Sequence, residues 1–126
     1  MAASKLGKVQ MEIMRVLWAR PAATAREITD ELNAAGRIPA IAHSTVQTLL
    51  RQMEAKGAVT HEQEGRTFVF RAAHEEREVT STATRELLSR VFGGSVSGLV
   101  AHLLTHEKIS ASELARLREL IEEAEA

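Results

Sequence analysis

The 126-residue chain has no cysteine. That absence excludes a disulfide framework, thiolate zinc fingers, iron–sulfur ligation and a cysteine nucleophile, and it fits an intracellular protein held together by packing alone. Long hydrophobic runs are also missing. The longest candidate, Leu99–Leu104, is interrupted by His102 and falls far short of the roughly 18 apolar residues that a membrane span needs, so no membrane insertion is expected. The opening Met1-Ala-Ala-Ser-Lys-Leu-Gly-Lys8 has no apolar segment of the secretory type. A soluble, cytoplasmic protein is the expected class, and no internal repeat or low-complexity segment is evident.

Catalytic signatures are equally sparse. No glycine-flanked nucleophile elbow and no phosphate-cradling glycine loop occurs, so neither an enzyme nor a cofactor is expected. His102 and His106 have the i, i+4 spacing of a metal pair, but His102-Leu-Leu-Thr-His106 lacks the glutamate that zinc proteases place beside the first histidine. No third ligand follows from the spacing, so partly exposed helix histidines are expected and no metal site.

An excess of either charge is missing as well: 16 basic against 17 acidic residues give a net charge of −1. The distribution is uneven. Through Arg71 there are 10 basic and 7 acidic residues, net +3, and from Ala72 onward 6 basic and 10 acidic, net −4. The sign suits a DNA-facing N-terminal part and a tail that faces something else.

What is present is a series of short amphipathic segments. Leu6, Val9, Ile13, Val16 and Leu17 recur at helical spacing and predict a helix from about residue 6 to Ala19, closed by Pro21. Trp18, at the edge of that face, reads as a core anchor. Thr24-Ala-Arg-Glu27 has capping-box spacing and opens a second helix, with Ile28 and Leu32 inward and an end near Ala35-Gly36. After a connection containing Pro39, Ser44-Thr-Val-Gln47 has the same spacing. It predicts a third helix with Val46, Leu49, Leu50 and Met53 inward and a stop at Lys56-Gly57. Ala58–Glu64 and Thr67–Ala73, joined by Gly65-Arg66, read as a β-hairpin with Arg66 at its tip.

Three helices followed by a hairpin is the order of a winged helix-turn-helix. The outer face of the third helix then becomes a recognition surface for double-stranded DNA. Ser44, Thr45, Gln47, Thr48, Arg51 and Gln52 are its candidate DNA-binding residues. Gln suits adenine, Arg suits guanine, and Thr can bond a base or phosphate or pack on a thymine methyl. Arg66 in the wing, with Lys5, Lys8 or Arg71, could contact the backbone or a minor groove.

From Glu75 the helical period returns. Val79, Ala83, Leu87 and Val91, widened by Leu88 and Phe92, predict a helix stopped by Gly93-Gly94. Ser95 can cap a short helix carrying Val96, Leu99, Val100, Leu103 and Leu104, and Ser110-Ala-Ser-Glu113 opens a last one with Leu114, Leu117, Leu120 and Ile121. The expected organisation is a winged helix-turn-helix domain over 1–73 and a helical dimerisation domain over 74–126, a mainly α fold with a small β-hairpin wing. Helices this short gain little core alone, and pairing with a second copy is the economical way to cover Leu87, Val91, Leu99, Val100, Leu103, Leu114, Leu117 and Ile121. A protein–protein adaptor built on the same fold is the alternative, since +3 is a modest charge for a DNA binder.

Met11-Glu-Ile-Met-Arg-Val-Leu-Trp18, Ser44-Thr-Val-Gln-Thr-Leu-Leu50, Lys56-Gly-Ala-Val59 and Leu87-Leu-Ser-Arg-Val-Phe-Gly-Gly-Ser95, in this order and spacing, resemble the penicillinase-repressor family of bacterial regulators, the BlaI/MecI type. The resemblance covers nearly the whole chain from about residue 6. It implies a homodimeric winged-helix repressor of palindromic operators, often controlling β-lactam (antibiotic) resistance genes. It places Thr45, Gln47, Thr48, Arg51 and Gln52 on the DNA-contacting helix and Arg66 in the wing. It further implies derepression through a sensor-protease pathway that cuts a C-terminal helix, at positions matching His102-Leu103. The family's cleaved Asn–Phe bond is not present here, and a copper-responsive branch with a cysteine cluster is excluded. Release by a small ligand is the other route.

Overall fold

The computed structural model describes residues 6–126, so Lys5 lies outside the described residues. The chain divides into two compact units, Met1–Glu86 and Leu87–Ala126.

In the first unit, α1 (Lys8–Ala19), α2 (Ala25–Ala34) and α3 (His43–Ala55) pack with a three-stranded sheet of β1 (Ala23–Thr24), β2 (Val59–Glu64) and β3 (Thr67–Ala72). The strand order is β1-β3-β2, antiparallel throughout. β2 and β3 form the expected hairpin. The short β1 pairs Ala23 with Phe70 and Thr24 with Val69, which stitches the start of α2 to the wing.

The core collects Ile13, Met14 and Leu17 from α1, Ile28 and Leu32 from α2, Val46, Leu50 and Met53 from α3, and Ala23, Val59 and Phe70 from the sheet. The buried line of α1 is rotated from the expected one. Met14 and the polar Gln10 are inside, whereas Val9 and Val16 are only half-buried. Gln10 tolerates burial because its amide is satisfied: Oε1 accepts from the Gly7 N–H at 2.9 Å and from Lys56 Nζ at 3.5 Å, and Nε2 donates to Gln52 Oε1 at 3.5 Å. Trp18 is the anchor its position predicts, half-buried with its indole N–H donated to the His74 carbonyl at 2.9 Å.

Local signals explain most boundaries. Thr24 accepts from the Glu27 N–H at 3.1 Å and Glu27 accepts from the Thr24 N–H at 2.9 Å, the full capping box. That backbone bond, with Arg20 at 2.9 Å, holds the Glu27 carboxyl below the usual glutamate range. At the end of α3 the Gly57 N–H bonds Glu54 O and the Ala58 N–H bonds Met53 O. This is a Schellman stop, with Gly57 at φ 81° where a side chain would be strained.

The start of α3 corrects the sequence reading. Ser44 does not cap it. The N-cap is Ala42, whose carbonyl takes the Thr45 and Val46 N–H groups, so Ser44 already lies inside the helix with its carbonyl accepting from Thr48 Oγ1 at 3.1 Å. The side chain that organises this region is Asn33. Its Nδ2 donates to Ile41 O at 3.0 Å and its Oδ1 accepts from the Ile41 N–H at 2.9 Å, a two-point clip between the end of α2 and the approach to α3. Asn33→Ala is expected to cost about 1–3 kcal/mol, because two backbone groups lose their partner; chemical denaturation measures it, and an unchanged midpoint would dismiss the clip.

The second unit contains the end of α4 (Glu76–Phe92) with α5 (Val96–His106) and α6 (Ala111–Glu125). Ser95 and Ser110 cap α5 and α6, accepting from Gly98 N–H at 2.9 Å and Glu113 N–H at 3.1 Å, and of the box expected at Ser110 and Glu113 only this serine half forms. No residue of α5 or α6 is buried. Among the described residues no single helix is long and apolar enough to cross a membrane.

Candidate nucleic-acid interface

With Val46, Leu50 and Met53 in the core, a turn of 100° per residue points Ser44, Thr48, Arg51 and Ala55 directly away from it. His43 and Gln47 lie to one side of that line and Thr45 and Gln52 to the other. Ser44, Thr45, Gln47, Thr48, Arg51 and Gln52 are all exposed. Arg51 donates to Thr48 Oγ1 at 3.3 Å, and Thr48 in turn donates to the Ser44 carbonyl. The guanidinium is thereby laid along the helix surface. Gln52 differs from the rest, since its Oε1 accepts from Gln10 and its amide is tied toward α1.

The wing is set beside this face by specific contacts. His61 Nδ1 on β2 lies 2.7 Å from both carboxylate oxygens of Glu54 on α3. The His61 ring stacks on Phe68 with centroids 4.2 Å apart and 17° between planes. A two-residue loop of Gly65 and Arg66 closes the hairpin, Glu64 pairing with Thr67. Gly65 has φ 64° and Arg66 does not have positive φ, the φ pattern of a type II′ turn, which needs glycine first.

Between the start of α2, α3 and the hairpin lies an open concavity of about 470 Å³. Arg26, Arg51 and Arg66 reach it with His43, Gln47 and Phe68, and no aspartate or glutamate is among its lining residues. Arg26 Nη2 is 3.3 Å from His43 Nδ1. Among the described residues none of these three arginines pairs with a carboxylate, whereas Arg20, Arg37 and Arg71 are neutralised by Glu27, Glu12 and Glu62. Three guanidiniums facing one acid-free space have the chemistry to bond phosphate oxygens.

Of the residues expected at the interface, the structure brings Gln47, Arg51 and Arg66 to this concavity and leaves Ser44, Thr45 and Thr48 on the adjoining face. Arg71 is elsewhere, on the sheet face opposite Phe70 and paired with Glu62 at 3.8 Å. Lys8 is exposed at the first turn of α1. Arg26 and His43 escaped the sequence reading. One signal was available: Arg26 places a cation in the first turn of a helix, where the backbone dipole favours an anion.

The second unit presents a different surface. Leu87, Val91, Leu103 and Ile121 are exposed, Val91 by 60% and Ile121 by 58%. Leu99, Val100, Leu114 and Leu117 are half-buried. Val96, Leu104 and Leu120 add to the uncovered apolar area. His102 and His106 sit on α5 with ring centroids 4.6 Å apart.

Residues 6–123 match the protein family described as penicillinase repressor. The penicillinase repressor of Bacillus licheniformis is 26% identical over 119 residues, which cover 94% of this chain and 91% of the relative. The methicillin resistance regulatory protein MecI of Staphylococcus aureus is 20% identical over 117 residues, 93% of each chain. Among solved structures, the DNA-binding domain of the repressor BlaI aligns with 28% identity and a TM-score of 0.51, covering 59% of this chain and 87% of that one. The winged-helix architecture read from the helix and hairpin order is the architecture of that domain.

Proposed function

The chain belongs to the penicillinase repressor family, and from that premise and the geometry above we propose that it is a DNA-binding transcriptional repressor acting in the cytoplasm as a homodimer on palindromic operators. The observation that carries the reading is the acid-free concavity, in which Arg26, Arg51 and Arg66 converge beside the exposed face of α3. Phosphates of one strand enter that space. Ser44, Thr45, Gln47, Thr48 and Arg51 then meet base edges in the major groove, and Gln52 acts from its tether to Gln10. Affinity comes chiefly from Arg26 and Arg66 and selectivity from the exposed face of α3.

Dimerisation is assigned to 74–126, where Leu87 and Val91 lie exposed on α4 and Leu99, Val100, Leu103, Leu114, Leu117 and Ile121 lie on α5 and α6, no residue of which is buried within one chain. Two copies joined there carry two reading heads to the two halves of a palindrome. The genes controlled are of the antibiotic-response class suggested by the relatives' names. Derepression follows from proteolysis near His102-Leu103 on α5 through a sensor-protease pathway. Cutting there detaches α6 and the joined half-sites lose their avidity.

Titration of duplex DNA at several salt concentrations tests this reading. Arg66→Ala is expected to weaken binding to every sequence and to lower the slope of log K against log salt by about one. Thr48→Ala is expected instead to alter preference among sequences, by roughly tenfold at one position. Equal losses on all sequences for Thr48→Ala would remove it from base readout, and an unchanged salt slope for Arg66→Ala would remove the wing from phosphate binding.

A further inference from the structure

We infer that His102 and His106 form half of a divalent transition-metal site, which a second copy of the chain completes so that one ion bridges two C-terminal helical units. Four apart on α5, the two histidines occupy the same face on successive turns. Their rings lie with centroids 4.6 Å apart, and Phe92 meets His102 edge-on with centroids 5.8 Å apart. The other three histidines have polar partners: His43 lies against Arg26, His61 against Glu54 and His74 against Glu78. Among the described residues, neither His102 nor His106 has a hydrogen bond or an ion pair with any side chain. They have only each other and Phe92.

Two imidazoles bound to one tetrahedral ion at about 2.0–2.1 Å have their centroids about 5 Å apart, so a small rotation of the rings admits the ion. Imidazole nitrogen selects zinc, nickel or copper over magnesium or calcium. One chain cannot close such a site, because no group of three or more metal-ligating side chains occurs among the described residues. The missing ligands come from a second copy. At 100° per residue, His102 and His106 border the arc of α5 that carries Leu99, Leu103, Val96 and Val100. Where two copies meet antiparallel through that arc, with their dyad beside His102 and His106, like rims face each other and the two pairs make a tetrahedral four-imidazole set. The inference rests on the homodimer proposed above.

Sedimentation equilibrium of the full chain, in EDTA and in added zinc chloride, tests it beside calorimetric zinc titration. The expected result is a dimer in EDTA whose dissociation constant falls at least tenfold with zinc, binding one ion per two chains. Cobalt substituted for zinc is expected to show the intense visible bands of a tetrahedral ion. In the His102→Ala/His106→Ala variant the zinc effect and the cobalt bands are expected to vanish while the EDTA-level dimer persists. A dimer in EDTA that binds no zinc, or binds one ion per chain without tightening, would overturn the metal site and leave the dimer standing. A chain that stays monomeric with and without zinc would overturn both.

Discussion

Leu50→Ala is expected to destabilise the N-terminal unit by about 2–5 kcal/mol, the cost of a buried leucine truncation with its residual cavity. Leu50 is wholly inaccessible and shares the core with Ile13, Ile28 and Met53, so its removal empties the junction of α1, α2 and α3. In a unit of this size the loss lowers the melting temperature by roughly 10 °C or more. DNA binding measured well below the new midpoint should fall little, because the exposed face of α3 is untouched. A melting temperature unchanged by Leu50→Ala would contradict the described core.

Leu103→Glu is expected to have the largest effect on binding. Leu103 is 41% exposed on α5, among the apolar residues assigned to the homodimer. A carboxylate there must be desolvated whenever the two copies meet. The dimer should dissociate, and affinity for a palindromic duplex should drop by about 10²–10⁴ as the avidity of joined heads is lost. Binding to a single half-site should stay within about twofold of the parent. Sedimentation combined with titrations on whole and half sites measures both quantities. A variant that remains dimeric with full affinity would move the interface away from α5.

The parts of this protein that were legible in the sequence are those set by near neighbours in the chain. The stripe Val46, Leu49, Leu50 and Met53, of which Leu49 is only half-buried, the capping box at Thr24, the serine caps at Ser95 and Ser110 and the Gly65-Arg66 turn all encode their structure within a few residues. What escaped depends on contacts distant in sequence. β1 is two residues long and exists because Phe70 and Val69 lie alongside, which no periodicity over Ala23–Thr24 could announce. Ser44 had the right spacing for a box, but the Asn33 clip on Ile41 fixes the approach to α3 and the helix begins earlier. Gln10 is inside because partners forty residues away satisfy its amide.

The candidate interface divides the same way. Gln47, Thr48 and Arg51 could be named from helix phase alone, as could Arg66 from the turn. The convergence of Arg26 and His43 on the same concavity follows from how α2 meets α3 and the wing. Charge count alone could not separate the arginines left facing the concavity from those paired with carboxylates within the fold. Arg71 looked available and is held by Glu62, whereas Arg26 looked ordinary and stands unneutralised.

The central claim is tested most directly by selecting the purified full chain on random duplex DNA at physiological salt and sequencing what is retained. An enriched palindrome, with half-sites one helical turn of about 10–10.5 base pairs or a multiple apart, is the result predicted for a dimer reading two major grooves. Retention without enrichment, or no retention, would contradict base readout by the exposed face of α3.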